Sequence, residues 1–139
     1  MSFREKSAWV MAAVIILAGL YYLRAVLAAP HASGAASPPA GALAGYVCLV
    51  VVGSVVAQIV LALSAPKEAA HPADERERPA LQRAGHWAGF VLAAGAILSL
   101  GNFLYRPDGN LLFHLVLGSL IASQIAEYVF QIALLRRGA

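Results

Sequence analysis

Four polar side chains lie in the middle and second half of the last apolar stretch of this 139-residue chain, and they are the residues best placed to do chemistry. The stretch runs from Asn110 to Leu135, and the four residues are Ser123, Gln124, Glu127 and Gln131. A carboxylic acid deep in an apolar helix is costly, so Glu127 should face a partner, water or a ligand rather than lipid. The four residues fall on one flank of a helix at about 100° per residue.

A fifth polar residue, Gln58, is expected at the same depth. Glu127 precedes Arg136 by nine residues, and Gln58 precedes Lys67 by the same distance. At about 1.5 Å per residue, each lies about 13 Å inside the basic end of its helix. We therefore expect a polar intramembrane layer, with a hydrogen bond between Gln58 and Gln124. Such a layer indicates either a proton- or cation-coupled transport site or hydrogen bonds that hold membrane helices together.

A second polar cluster is expected nearer the other surface, from Asn102, Tyr105 and His114. It would suit a metal or a quinone-type ligand, or it would be hydrogen-bonded structure. His114 has no second histidine three or four residues away and no acid in its turn. Because a metal site needs several ligands, we expect no metal. No motif for nucleophilic catalysis or phosphate binding is recognisable, so we expect neither catalytic residues nor a cofactor.

The elements that must position these residues are four apolar runs. The chain is 60% hydrophobic and 12% charged, with a mean hydropathy of +0.73, whereas soluble domains carry about 25% charge. Each run is about 20 residues or longer, enough to cross about 30 Å of hydrocarbon as a helix. The runs cover residues 8–27, 42–63, 84–105 and 110–135. The sequence therefore predicts an all-α, four-transmembrane-helix bundle that forms one domain over residues 1–139.

Small residues in the third run predict close helix packing. Gly85, Gly89 and Ala93 are spaced by four and share a face. Small surfaces let helices approach each other in lipid. Four short helices also leave little room for an enclosed pathway, so we expect a homo-oligomer.

The distribution of basic residues predicts the orientation. With both termini in the cytoplasm, that side holds eight of the ten lysines and arginines. The other side holds Arg24 and Arg106, so the positive-inside rule predicts N-in, C-in topology. The net charge of +3 is then explained by basic residues at the membrane edges and does not indicate nucleic-acid binding. The polar segment 64–82 becomes a cytoplasmic loop, which is either a solvated hinge with a short surface helix or a docking site for a protein partner.

Several short stretches carry a resemblance to a known group of proteins. These are MSFREKSAW, PADERER, RAGHWAGF, GNLLFH and SQIAEYVFQI. With them the chain resembles a family of small, uncharacterised inner-membrane proteins of bacteria, and the resemblance covers nearly its whole length. It implies a four-span, multi-pass protein of the bacterial inner membrane and implies no activity.

A small multidrug transporter offers one comparison with a known activity. That family also uses four-helix chains and a membrane glutamate, but its glutamate lies in the first helix. Here the first run has no acid and the intramembrane acid is Glu127. Our first hypothesis is therefore a non-enzymatic scaffold or accessory, regulatory subunit that acts as an oligomer. The alternatives are a small proton-linked transporter or channel that uses Glu127 and Gln58, and a membrane enzyme or quinone-binding subunit that uses His114.

Overall fold

Four long helices make up the computed structural model, which describes residues 3–29, 35, 37–66, 75 and 77–137. Helix α1 spans Phe3–Ala28, α2 spans Ala40–Ser64, α3 spans Glu77–Tyr105 and α4 spans Gly109–Arg137. Each has 25 to 29 residues and a mean hydropathy between 1.4 and 2.5 over its most apolar window. All four are therefore long and apolar enough to cross a membrane, as a multi-pass protein requires.

Each helix extends beyond its apolar run at one end or at both. Helix α3 shows this most, since it begins at Glu77 and not near residue 84. Pro79 lies in its first turn, where backbone N–H groups have no acceptor within the helix, so the missing N–H costs little. Residues 77–82 of the expected cytoplasmic loop are thus helical. The rest of the charged stretch, apart from residue 75, lies outside the described residues.

The helices pack in the order α2, α1, α4, α3. Helix α4 packs along α3 on one side and along α1 on the other, and α1 packs along α2. Within the described residues, α2 forms no extended interface with α3 or α4. The structure is therefore an open row of four helices, with α2 and α3 at its edges, and not a closed ring.

Contact between α3 and α4 depends on small residues of α3. Ala80, Ala84 and Ala88 are at most 3% exposed, as is Ser99 farther along. A Cβ added at Gly95 would lie 2.6 Å from the Cβ of Ser119, so the two backbones cross most closely there. Short side chains are what permit this approach.

The small-residue face expected from the sequence, at Gly85, Gly89 and Ala93, is not the face of α3 that packs against α4. Gly89 and Ala93 are exposed, and no neighbouring atom lies within 4 Å of a Cβ added at Gly89. A Cβ added at Gly85 would approach only the Glu127 carboxylate, at 3.9 Å. Helix α3 carries two neighbouring small stripes one residue apart, and α4 packs on the alanine stripe because its larger side chains, such as Leu134, fit against Ala80 and Ala84.

The buried part of the contact between α1 and α2 lies at one end. Ala18 and Tyr22 of α1 form a buried cluster with Ala42 and Tyr46 of α2. The rings of Tyr22 and Tyr46 meet edge to face, with centroids 6.2 Å apart. Ala42 and Tyr46 are the buried residues of α2, and its remaining length is largely exposed.

Candidate functional site

One flank of α4 carries the polar side chains expected in the membrane. Gln131 donates a hydrogen bond from Nε2 to Oε1 of Glu127, at 3.2 Å and one helical turn away. The Glu127 side chain is half-buried where α4 passes Gly85 of α3. Ser123 is buried and donates from Oγ to the carbonyl oxygen of Ala88, at 2.8 Å. Ser123 therefore joins α4 to α3, whereas Glu127 and Gln131 pair within their own helix.

Gln124 differs from its neighbours because its side chain is exposed. It lies close to the middle of α4, about 22 Å from its first residue and about 20 Å from its last at 1.5 Å per residue. Helical spacing places it on the same stripe as Phe113 and Leu117, which pack against the cluster between α1 and α2. The stripe thus lies on the side of α4 that meets the α1–α2 cluster, and at Gln124 it is exposed.

Gln58 is placed against α1. Its Nε2 donates to Oγ of Ser7 at 2.8 Å, a bond that ties the second half of α2 to the first turns of α1. The amide of Gln58 is used in this bond, and Gln124 is not its partner. The polar residues expected to form one layer are therefore divided between two places, the α1–α2 contact and the flank of α4.

The ends of the chain meet in an ion pair that the sequence did not predict. Glu5 is 8% exposed, and its Oε1 lies 2.7 Å from Nε of Arg136. The same guanidinium lies over the ring of Trp9, 5.6 Å from its centroid, a cation–π distance. The first turn of α1 is thereby held against the last turn of α4. The only available signal was opposite charge at two distant helix ends.

His114 is paired with Tyr22 of α1. The Tyr22 hydroxyl lies 3.1 Å from Nδ1 of His114, and the ring centroids are 6.0 Å apart. Asn102 and Tyr105 do not join this pair, because both are exposed and Tyr105 is 90% exposed near the end of α3. The outer polar cluster expected from the sequence is therefore replaced by a tyrosine–histidine pair between α1 and α4.

The tyrosine–histidine pair lies at one end of an apolar cleft between α1 and α4. The cleft has a volume of about 360 Å³. Its walls come from both helices: Ile16, Gly19, Leu20, Tyr22, Leu23 and Val26 of α1, and His114, Gly118, Ile121, Ala122 and Ile125 of α4. Because the two helices are antiparallel, His114 and Val26 mark one end and Ile16 and Ile125 mark the other. The cleft carries no charged residue.

The turn between α3 and α4 is organised by Asp108. Its Oδ1 accepts hydrogen bonds from the backbone N–H groups of Asn110 and Leu111, at 2.9 and 3.2 Å, so Asp108 caps the start of α4. Its Oδ2 accepts a third bond from the N–H of Ala35, at 3.1 Å. One carboxylate thus both caps a helix and holds a residue between α1 and α2.

These bonds predict a loss of stability in acid. The backbone hydrogen bond from Ala35, with that from Leu111, holds the pKa of Asp108 below its usual range. A carboxyl whose pKa is lowered on folding stabilises the fold above its unfolded pKa and loses that effect as pH falls through the folded value. At pH values below about 4, we expect the midpoint temperature of thermal unfolding to decrease. Asp108→Asn, which keeps a capping oxygen, should lower the midpoint temperature at pH 7. It should also make the midpoint temperature less dependent on pH in acid. Equal acid sensitivity in both proteins would contradict the role of Asp108.

The described residues contain no group of three histidine, cysteine, aspartate or glutamate side chains able to hold a metal ion. Comparisons with protein-family models, with curated proteins and with solved structures found no match to this chain. The case for a function therefore depends on the side chains described above.

Proposed function

We propose that this chain is a non-enzymatic membrane protein that acts as an oligomer, as a scaffold or as an accessory, regulatory subunit of a larger assembly. The observation that supports this is the exposed amide of Gln124 in the middle of α4. Lipid offers no hydrogen-bond partner to an amide at that depth, and in membrane proteins such groups usually bond across helices.

The packing of the helices supports the same proposal. Within the described residues α2 forms no extended interface with α3, and the part of the stripe at Gln124 is left uncovered. A second copy placed there would cover this stripe and supply a second Gln124, whose amide can donate to and accept from the first. A symmetric pair of this kind is the commonest oligomer.

We further propose the bacterial inner membrane as its location, with both termini in the cytoplasm. The Glu5–Arg136 ion pair brings the start of α1 beside the end of α4. Most of the basic residues of the chain belong to that end or to segment 64–82, and basic residues concentrate on the cytoplasmic side.

Replacing Gln124 tests the oligomer directly. We expect Gln124→Leu to shift the protein from oligomer to monomer, because interhelical bonds of this kind contribute about 0.6–2 kcal/mol each in a membrane. That corresponds to about a 3- to 30-fold weaker association. The measurement is single-molecule photobleaching of labelled protein over a range of dilutions in lipid vesicles.

Asn102→Leu is the matched control, since Asn102 is also an exposed amide but lies three residues from the end of α3, where water is within reach. It should leave the association unchanged. Association that Gln124→Leu does not weaken would overturn the assigned interface. A protein that stays monomeric and instead carries a proton-driven flux abolished by Glu127→Gln would overturn the scaffold proposal in favour of transport.

A further inference from the structure

We propose that the cleft between α1 and α4 is a binding site for a lipid-soluble quinone or quinol, with the head ring at the Tyr22–His114 pair. The cleft lies on the α1–α4 contact and not on the stripe of Gln124. The proposal is therefore separate from the oligomer and can fail or hold independently of it.

The shape of the cleft suits one ring followed by one chain. About 360 Å³ is near the lower end of the volumes of small-molecule sites, about 300–1,000 Å³. The lining follows eleven residues of α1, from Ile16 to Val26, which is about 15 Å of helix. A groove of this length and volume suits a single prenyl or alkyl chain, whereas a two-chain lipid needs more space.

The polar end of the cleft suits a head group that exists in two hydrogen-bonding forms. Tyr22 and His114 share one hydrogen bond between the phenol oxygen and Nδ1. If the phenol donates to Nδ1, its oxygen keeps lone pairs that accept from a quinol hydroxyl. If the ring N–H donates to the phenol, the phenol O–H is released to donate to a quinone carbonyl. The pair thus offers either an acceptor or a donor to the same position.

The absence of charge in the lining indicates a neutral head. The eleven lining residues include no lysine, arginine, aspartate or glutamate. A phosphate head at this position would lose its hydration without gaining an opposite charge, which is unfavourable. An uncharged oxygen-bearing ring loses little hydration and gains the hydrogen bond of Tyr22.

Gly118 offers a variant that fills the cleft and spares the fold. It belongs to the lining, and no neighbouring atom lies within 4 Å of a Cβ added there. The first atom of a larger side chain at this position therefore meets no protein atom, and we expect a leucine here to take up space in the cleft. Gly101 of α3 is equally unobstructed and lies outside the lining, so Gly101→Leu is the matched control.

The experiment is equilibrium binding of decylubiquinone to the full-length protein in lipid nanodiscs. We expect saturable binding that Gly118→Leu weakens about tenfold or more, and that Gly101→Leu leaves unchanged. Tyr22→Phe keeps the ring and removes the hydroxyl, so it should weaken binding about fivefold, the effect of one ordinary hydrogen bond. Decylubiquinone should also shift the ring ¹⁵N resonances of His114, assigned through His114→Gln.

Three outcomes would overturn the proposal. The first is non-saturable uptake that is the same in Gly118→Leu, which would mean that the quinone only dissolves in the bilayer. The second is displacement of decylubiquinone by a phospholipid analogue at equal concentration, which would make the cleft a site for ordinary surrounding lipid. The third is saturable binding of a monoacylglycerol of equal chain length when decylubiquinone does not bind. Melting curves of the variants show whether each remains folded.

Discussion

Gly95→Leu is expected to separate α3 from α4 and to cause a large loss of stability. A Cβ at position 95 would lie 2.6 Å from Cβ and 3.4 Å from Cα of Ser119. These atoms belong to the backbone and its first side-chain atom, so no rotamer change relieves the overlap. Overpacking a tight contact costs about 1–3 kcal/mol where neighbours can adjust. Because the helices must move apart here, we expect about 3 kcal/mol or more.

The measurement is the free energy of unfolding in mixed detergent micelles, followed by circular dichroism. Gly101→Leu on the same helix provides the control. It makes an equal change in volume at a position where no neighbouring atom lies within 4 Å of an added Cβ. It should change stability little, apart from the small gain of replacing glycine within a helix. If the two variants were equally stable, the close crossing of α3 and α4 at Gly95 and Ser119 would be wrong.

Tyr46→Ala is expected to release α2 from the rest of the row. Tyr46 is 8% exposed and, with Ala42, forms the buried part of α2. In lipid the transfer of apolar surface contributes little, so the expected cost is mainly the lost packing around the vacated ring. We estimate about 2 kcal/mol, below the roughly 3–5 kcal/mol that removing a large aromatic side chain costs in a soluble core. The α3–α4 contact should be unaffected.

The release of α2 can be followed by cross-linking. A Cβ at Gly53 would lie 3.1 Å from Cγ1 of Val14, so a cysteine pair at positions 14 and 53 should form a disulfide when α2 is in place. Cys48, the single cysteine of the chain, is first replaced by alanine. Tyr46→Ala should lower the yield of this cross-link, and Val47→Ala, at a neighbouring position that is 50% exposed, should not. Unchanged cross-linking in Tyr46→Ala would show that α2 is held by other contacts.

The number and approximate bounds of the helices could be predicted from the sequence, because each needs only length and apolar composition to be recognised. The faces on which the helices pack against each other could not be predicted from the sequence. In a soluble helix the apolar stripe marks the buried face, but in lipid every face is apolar and the stripe disappears. The alternative stripes at Ala84 and Gly85 are therefore equivalent in the sequence and differ only in what α4 presents to them.

The partners of polar residues were unpredictable for a related reason. Depth along a helix can be counted in residues, and it placed Gln58 and Glu127 at equal distances from their basic ends. Depth does not specify the direction in which a side chain points. Gln58 lies against Ser7, and His114 lies against Tyr22. Both contacts follow from the position of α1 between α2 and α4, a feature of helix order that local patterns do not contain.

The position of α4 between α1 and α3 has a consequence for biosynthesis. Within the row, α4 follows α1, α2 and α3 in the chain, so the α1–α2 hairpin obtains its main contact with the rest of the row only once α4 has been synthesised. The ion pair between Glu5 and Arg136 can form only after the last turn of α4 has been made. A chain truncated within α4 would leave uncovered the surfaces of α1 and α3 that α4 contacts.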